Sequence, residues 1–124
     1  MPKETRRHRD GRGWEMKAGY SRAVRRGSHI AVSGTTAADA SADTYGQARA
    51  ALDHAIHAVE ALGGTKHDIV RTRILLAPDA DWEAAARAHV QLLGEVAPAN
   101  TMLYVAGLIG ESYLVEVEVD AEVD

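Results

Sequence analysis

Few residues of this 124-residue chain are equipped to do chemistry, and they are scattered along it. With no cysteine there is no thiolate nucleophile, disulfide or thiolate metal site. Carboxylates, histidines and hydroxyls remain. Glu116 stands in the run Leu114-Val115-Glu116-Val117-Glu118; a carboxylate in a partly dry cleft has its pKa raised toward neutrality and can serve as a base. Yet Glu116, Glu118 and Asp120 also fit a solvated face, or partners for Arg71 and Arg73 on a neighbouring strand. On residue types alone that second reading is the stronger. His89 falls on the Trp82 side of a helical pattern and can titrate near neutral pH. Ser33 can donate or accept a hydrogen bond, and Gly34 lets backbone approach a ligand closely. His54 and His57 have the i, i+3 spacing of metal sites, but lie off the Leu52–Ile56–Val59 stripe with no third ligand nearby, and read as solvated. Arg22 and Arg87 read as solvated charges too. There is no phosphate-cradling glycine loop and no GxSxG elbow. Neither metal nor cofactor is expected.

The elements that must position these groups are legible from periodicity. Two short runs, Tyr20 to Arg26 and His29 to Ser33, flank Arg26-Gly27-Ser28, where Gly27 can take the positive φ of a tight hairpin. Asp43 or Thr44 caps a predicted helix to about Leu62, with apolar residues at intervals of three and four and Gly63-Gly64 as its stop. Ile69 to Ala77 is rich in branched residues and reads as a buried strand, broken by Pro78. A second helix is expected from Asp81 to about Gly94. Two strands follow, Met102 to Leu108 and Tyr113 to Val119, the latter apolar on one face and acidic on the other. The order β-β-α-β-α-β-β predicts an α+β domain, one sheet with two helices on a single face.

Composition bounds the rest. At 46% hydrophobic and 26% charged, the chain has the make-up of one globular domain. No apolar run is long enough to span a bilayer, and no apolar stretch follows the charged N-terminus as a secretory signal requires, so a cytoplasmic protein is expected. The net charge of −4 is unevenly spread: residues 1–26 carry nine Lys/Arg against three acids, residues 27–124 five against fifteen. A basic segment lying against an acidic body explains this better than a nucleic-acid arm, since that body repels phosphate. Residues 1–12 lack periodicity and read as a basic, mobile tail ahead of a domain over 13–124.

In order and spacing, Gly19-Tyr20-Ser21-Arg22-Ala23, Val32-Ser33-Gly34, Pro98-Ala99-Asn100-Thr101 and the Glu116 strand resemble the reactive-intermediate deaminase (RidA/YjgF) family, also called endoribonuclease L-PSP. The resemblance runs from about Trp14 to Ala121. It implies a chorismate-mutase-like fold, a homotrimer, and ligand clefts between subunits. It also implies hydrolytic deamination of enamine- or imine-type metabolites: Glu116 orients or activates water, and Tyr20, Ser33 and Gly34 line the cleft. Thr101, beside Asn100, and His89, an inward histidine of a kind that more often packs than catalyses, complete the candidate substrate-binding set. Asn100 occupies the position of the family arginine that grips a substrate carboxylate, and losing a bidentate, charge-assisted pair costs roughly a hundredfold in carboxylate binding. Ala86, Met102 and Thr35 also depart from the usual asparagine, cysteine and glutamine. The resemblance therefore points to a branch for which 2-imino acids are poor substrates. A non-catalytic metabolite-binding trimer and a ribonuclease or translation inhibitor are the alternatives.

Overall fold

In a computed structural model, which describes residues 2–124, the chain forms one six-stranded sheet with its two long helices on one face. The elements are β1 (Thr5–His8), α1 (Trp14–Ala18), β2 (Ala23–Arg26), β3 (His29–Thr35), α2 (Thr44–Ala61), β4 (Ile69–Leu76), α3 (Trp82–Leu93), β5 (Ala99–Tyr104) and β6 (Val115–Glu122), with a 3-10 turn at Lys66–Asp68. Strand order is β1-β2-β3-β6-β4-β5, antiparallel except for the parallel β4–β5 pair joined through α3. Among the described residues, no helix is long and apolar enough to cross a membrane.

The helix boundaries follow their caps. The Asp43 carboxylate accepts from the Gly46 amide, and Asp81 accepts from those of Glu83 and Ala84, filling donors that a helix start leaves open. The hairpin turns at Gly27 with φ 61°, a conformation glycine adopts without steric cost. Val115, Val117, Val119 and Ala121 of β6 join Ile30, Ile74 and Leu76 against Leu52, Ala55, Ile56 and Val59 of α2, all buried. The alanines of α2 let helix and sheet approach closely.

The N-terminal segment departs from expectation. Thr5–His8 pair antiparallel with β2 and supply the sheet's first edge, so residues 2–12, the described part of the expected tail, are not the structureless segment their composition suggests. Two arginines fasten this corner, Arg6 and Arg25 both donating to the Leu62 carbonyl at the end of α2. Strand limits also shift: β5 begins at Ala99 and stops at Tyr104, because Val105 onward leaves the ladder for a loop. The final strand begins two residues later than predicted and runs on to Glu122.

Candidate active site

Alternation along β6 divides its side chains between the two sides of the sheet. Val115 and Val117 enter the core, while Glu116, Glu118 and Asp120 face the side without helices. The predicted acid–base ladder forms in part: Arg73 lies 3.6 Å from both Glu118 and Asp120. Glu116 is left out of it, because its partner across β4 is Leu75 rather than an arginine. The Glu116 carboxylate is half-buried and receives no hydrogen bond from the described residues. Burial, then the nearby Glu118 charge, push its pKa up; the Arg22 guanidinium opposes them. A carboxylate so placed is a proton acceptor tuned toward neutral pH.

Glu116 opens into a hollow of about 580 Å³ whose wall includes Tyr20, Arg22, Ser33, Gly34 and Tyr113. Four of the sequence-selected residues therefore meet: Glu116, Tyr20, Ser33 and Gly34. The β3–β6 register shifts between Val32 and Thr35, which turns Ser33-Gly34 out of the regular ladder. Ser33 Oγ is taken up by the Ser21 carbonyl at 2.7 Å. Gly34 is required here for a concrete reason: a Cβ at this position would collide with Glu116 Oε2. Gly34→Ala is expected to push the carboxylate out of place and cut any Glu116-dependent rate about a hundredfold, with the melting temperature falling only a few degrees. A crystal structure of the variant and its turnover check this together.

Arg22 corrects the expectation of a solvated charge, for it is only 3% exposed. Its Nε donates to Asp10 Oδ2 at 3.1 Å, and its Nη1 to the Gly34 carbonyl at 2.5 Å and Thr35 Oγ1 at 3.0 Å. Nη2 reaches the Tyr20 hydroxyl at 3.3 Å. Behind it the buried Glu15 accepts from the backbone amides of Asp10, Gly11 and Arg22, folding residues 10–15 over the site. Burial works against the Asp10 charge, but the Arg12 amide and the Arg22 guanidinium prevail and hold its pKa below the usual value. His54 is not wholly solvated either; it lies 3.3 Å from Asp10 and 3.2 Å from Arg12 Nη1, and burial, with Arg12, depresses its pKa. Arg87 is exposed as expected, its guanidinium over the Tyr45 ring. Among the described residues no three His, Asp or Glu side chains converge as a metal site.

Asn100 lies elsewhere. The β4–β5 register sets it beside Thr72, and both face the helices, opposite to Glu116. It lines a second hollow of about 500 Å³ with Leu76, Trp82, Ala86, Met102 and Tyr104. Asn100 Nδ2 donates to Thr72 Oγ1 at 3.0 Å and to the Thr72 carbonyl at 3.4 Å, and Thr72 Oγ1 lies 2.8 Å from His89 Nε2. Burial lowers the His89 pKa and so favours the neutral ring. Thus His89 reaches Asn100 through Thr72, which sequence reasoning passed over. Thr101 points the other way, next to Arg73, and is exposed. Within one chain, Asn100 and Glu116 open on opposite sides of the sheet.

A profile of the endoribonuclease L-PSP family matches residues 14–123. Over 121 residues the chain is 38% identical to an uncharacterized protein of Streptomyces coelicolor, SCO2049, covering 94% of this chain and 90% of that one. The fold matches the crystal structure of Rv2704 from Mycobacterium tuberculosis, a member of the YjgF/YER057c/UK114 family, with a TM-score of 0.91 and 37% identity over 97% of this chain and 100% of that one. The YjgF gene product of E. coli matches with a TM-score of 0.79 and 26% identity, over 94% of this chain and 93% of that one. With sequence profile, relative and fold in agreement, the chain belongs to the YjgF/YER057c/UK114 group, the endoribonuclease L-PSP family.

Proposed function

We propose that this chain acts as a homotrimer. In each shared cleft the Glu116 hollow of one protomer faces the Asn100 hollow of the next, and C=N bonds of small enamine- or imine-type metabolites are hydrolysed there. The observation carrying the reading is the Glu116 carboxylate, half-buried in a hollow, spared from the arginine ladder and pushed toward neutral pKa. Ionised, it takes a proton from water as the hydroxyl adds to the imine carbon, and it hands that proton to the nitrogen. Collapse of the carbinolamine then expels ammonia and leaves a carbonyl, the second proton that ammonia needs coming from the carbinolamine hydroxyl as the carbonyl forms. Association is supported by the opposed facing of the two hollows, by β5 as an open sheet edge, and by exposed Trp14, Met16, Leu103 and Ile109.

The absence of a guanidinium at Asn100 favours a second reading, a trimer that binds a metabolite without turning it over. No such observation favours a ribonuclease, since Arg6, Arg12, Arg22 and Arg25 are spent on internal contacts. The two leading readings separate in an ammonia-release assay with imines generated from neutral amines and from amino acids. Hydrolysis of neutral imines above the buffer rate, gained for 2-imino acids in Asn100→Arg, is the expected result. Rates equal to buffer in both proteins leave only binding. A monomer in sedimentation removes the shared cleft altogether.

A further inference from the structure

We infer that Asn100, locked by Thr72 and His89, makes the second hollow a receptor for an N–H donor, a carboxamide or an ammonium, in place of a carboxylate. This deepens the cleft reading and rests on it for the reacting end of the ligand. The argument begins with direction. A backbone carbonyl can only accept, so the Thr72 carbonyl at 3.4 Å requires the NH₂ end of Asn100 to face β4. The Thr72 hydroxyl takes the other hydrogen at 3.0 Å, and that hydroxyl is itself tied to His89. Both amide hydrogens are then engaged.

Oδ1 is what remains, and it receives no hydrogen bond from the described residues. Asn100 is exposed, so the oxygen is open to a ligand. Nothing in the wall supplies a counter-charge: the lining residues are Leu76, Trp82, Ala86, Met102, Leu103 and Tyr104 besides Asn100. The Tyr104 hydroxyl is spent on the Ala80 carbonyl at 2.8 Å, and Arg87, one residue from Ala86, is turned toward Tyr45. A carboxylate entering here loses water, gains no cation and meets a carbonyl dipole of its own sign. An N–H donor gains a hydrogen bond to Oδ1, and an ammonium also finds the half-exposed Trp82 ring in the same hollow.

Three probes of matched length test this on the ¹⁵N-labelled full chain: butanamide, n-butylammonium and butyrate at constant ionic strength. The amide and the ammonium are expected to shift the Trp82 indole N–H and the Asn100 side-chain NH₂, with butyrate at least about tenfold weaker, a gap near 1.4 kcal/mol. Asn100→Arg is expected to invert that order. Thr72→Val removes the shorter of the two bonds that hold the NH₂ inward and leaves only the 3.4 Å one to the backbone carbonyl, so the preference should fall below about threefold. Butyrate binding the wild type as tightly as butanamide overturns the inference, as does the absence of any shift at Trp82 and Asn100. If the wild type shows no preference yet Asn100→Arg captures butyrate, the acceptor is wrong and the cleft stands. If the preference holds but Glu116→Gln hydrolyses imines at full rate, the deaminase reading fails alone.

Discussion

Replacing Glu116 with glutamine is expected to lower imine hydrolysis by about 10²–10⁴-fold, the range that a positioned general base contributes. Glutamine keeps the size and hydrogen-bonding oxygen but cannot accept a proton at pH 7. Because burial and Glu118 raise the Glu116 pKa, the wild-type rate should fall on the acid side through an apparent pKa above 4.5, the ordinary glutamate value. The sign is fixed by mechanism: the base works ionised, so activity is present above that pKa and lost below it. Glu118→Gln removes a charge that raises the Glu116 pKa, so its acid limb should move to lower pH. Removing Arg22 should move it the other way. The same shift bears on stability with opposite sign, since a raised carboxylate pKa favours the fold at low pH and that gain is lost as pH rises through it. Glu116→Gln is thus expected to equal or exceed the wild type in melting temperature at pH 8. A pH–rate profile and a thermal melt check the two halves. An unchanged acid limb in Glu116→Gln would assign the base to another group.

Arg22→Met carries the largest expected cost in stability. It leaves Asp10, whose side chain is 10% exposed, without its guanidinium, and it strips donors from the Gly34 carbonyl and Thr35. Breaking a buried ion pair from one side costs about 3–5 kcal/mol. His54, 3.3 Å from Asp10, provides partial relief. Arg22 is one of the charges depressing the His54 pKa, so without it the ring protonates more readily and can neutralise Asp10. A group whose folded pKa rises stabilises below that pKa and ceases to as pH increases through it, so the loss should be smaller at pH 6 than at pH 8. Removing both partners in Asp10→Asn/Arg22→Met should cost less than the sum of the single changes, as expected of coupled neighbours. Urea unfolding at the two pH values measures all of this. Strict additivity would show that the pair is not coupled.

Local pattern made most of the fold readable. The α2 boundaries follow from an aspartate cap and a glycine stop, and the hairpin from one glycine between two branched runs. Glu116, Tyr20, Ser33 and Gly34 assemble as their order suggested, because each sits on an element of the central sheet or beside it. What was not legible depends on pairing over long separations. Nothing near Asn100 says that Thr72, twenty-eight residues earlier, will hold its amide. Burial of Arg22 requires Asp10 and Glu15 to fold back over β2, and a segment crowded with charge gives no periodicity from which to foresee that. A lone glutamate four residues after Gly11 was the available sign. Its value as an acceptor for three amides emerges only when the loop closes.

The central position of β6 has a consequence for how this protein is made. Last in chain order, it lies between β3 and β4 and is the neighbour they share. A nascent chain can form its hairpin and both helices on the ribosome, yet it cannot join the two halves of its sheet until residues 115–122 have emerged. Until then the apolar sides of Ile30, Val32, Ile74 and Leu76 await the strand that completes their layer. The strand that unites the two halves is thus made after both of them, and a translation stop before Val115 leaves β1-β2-β3 and β4-β5 without the strand that lies between them.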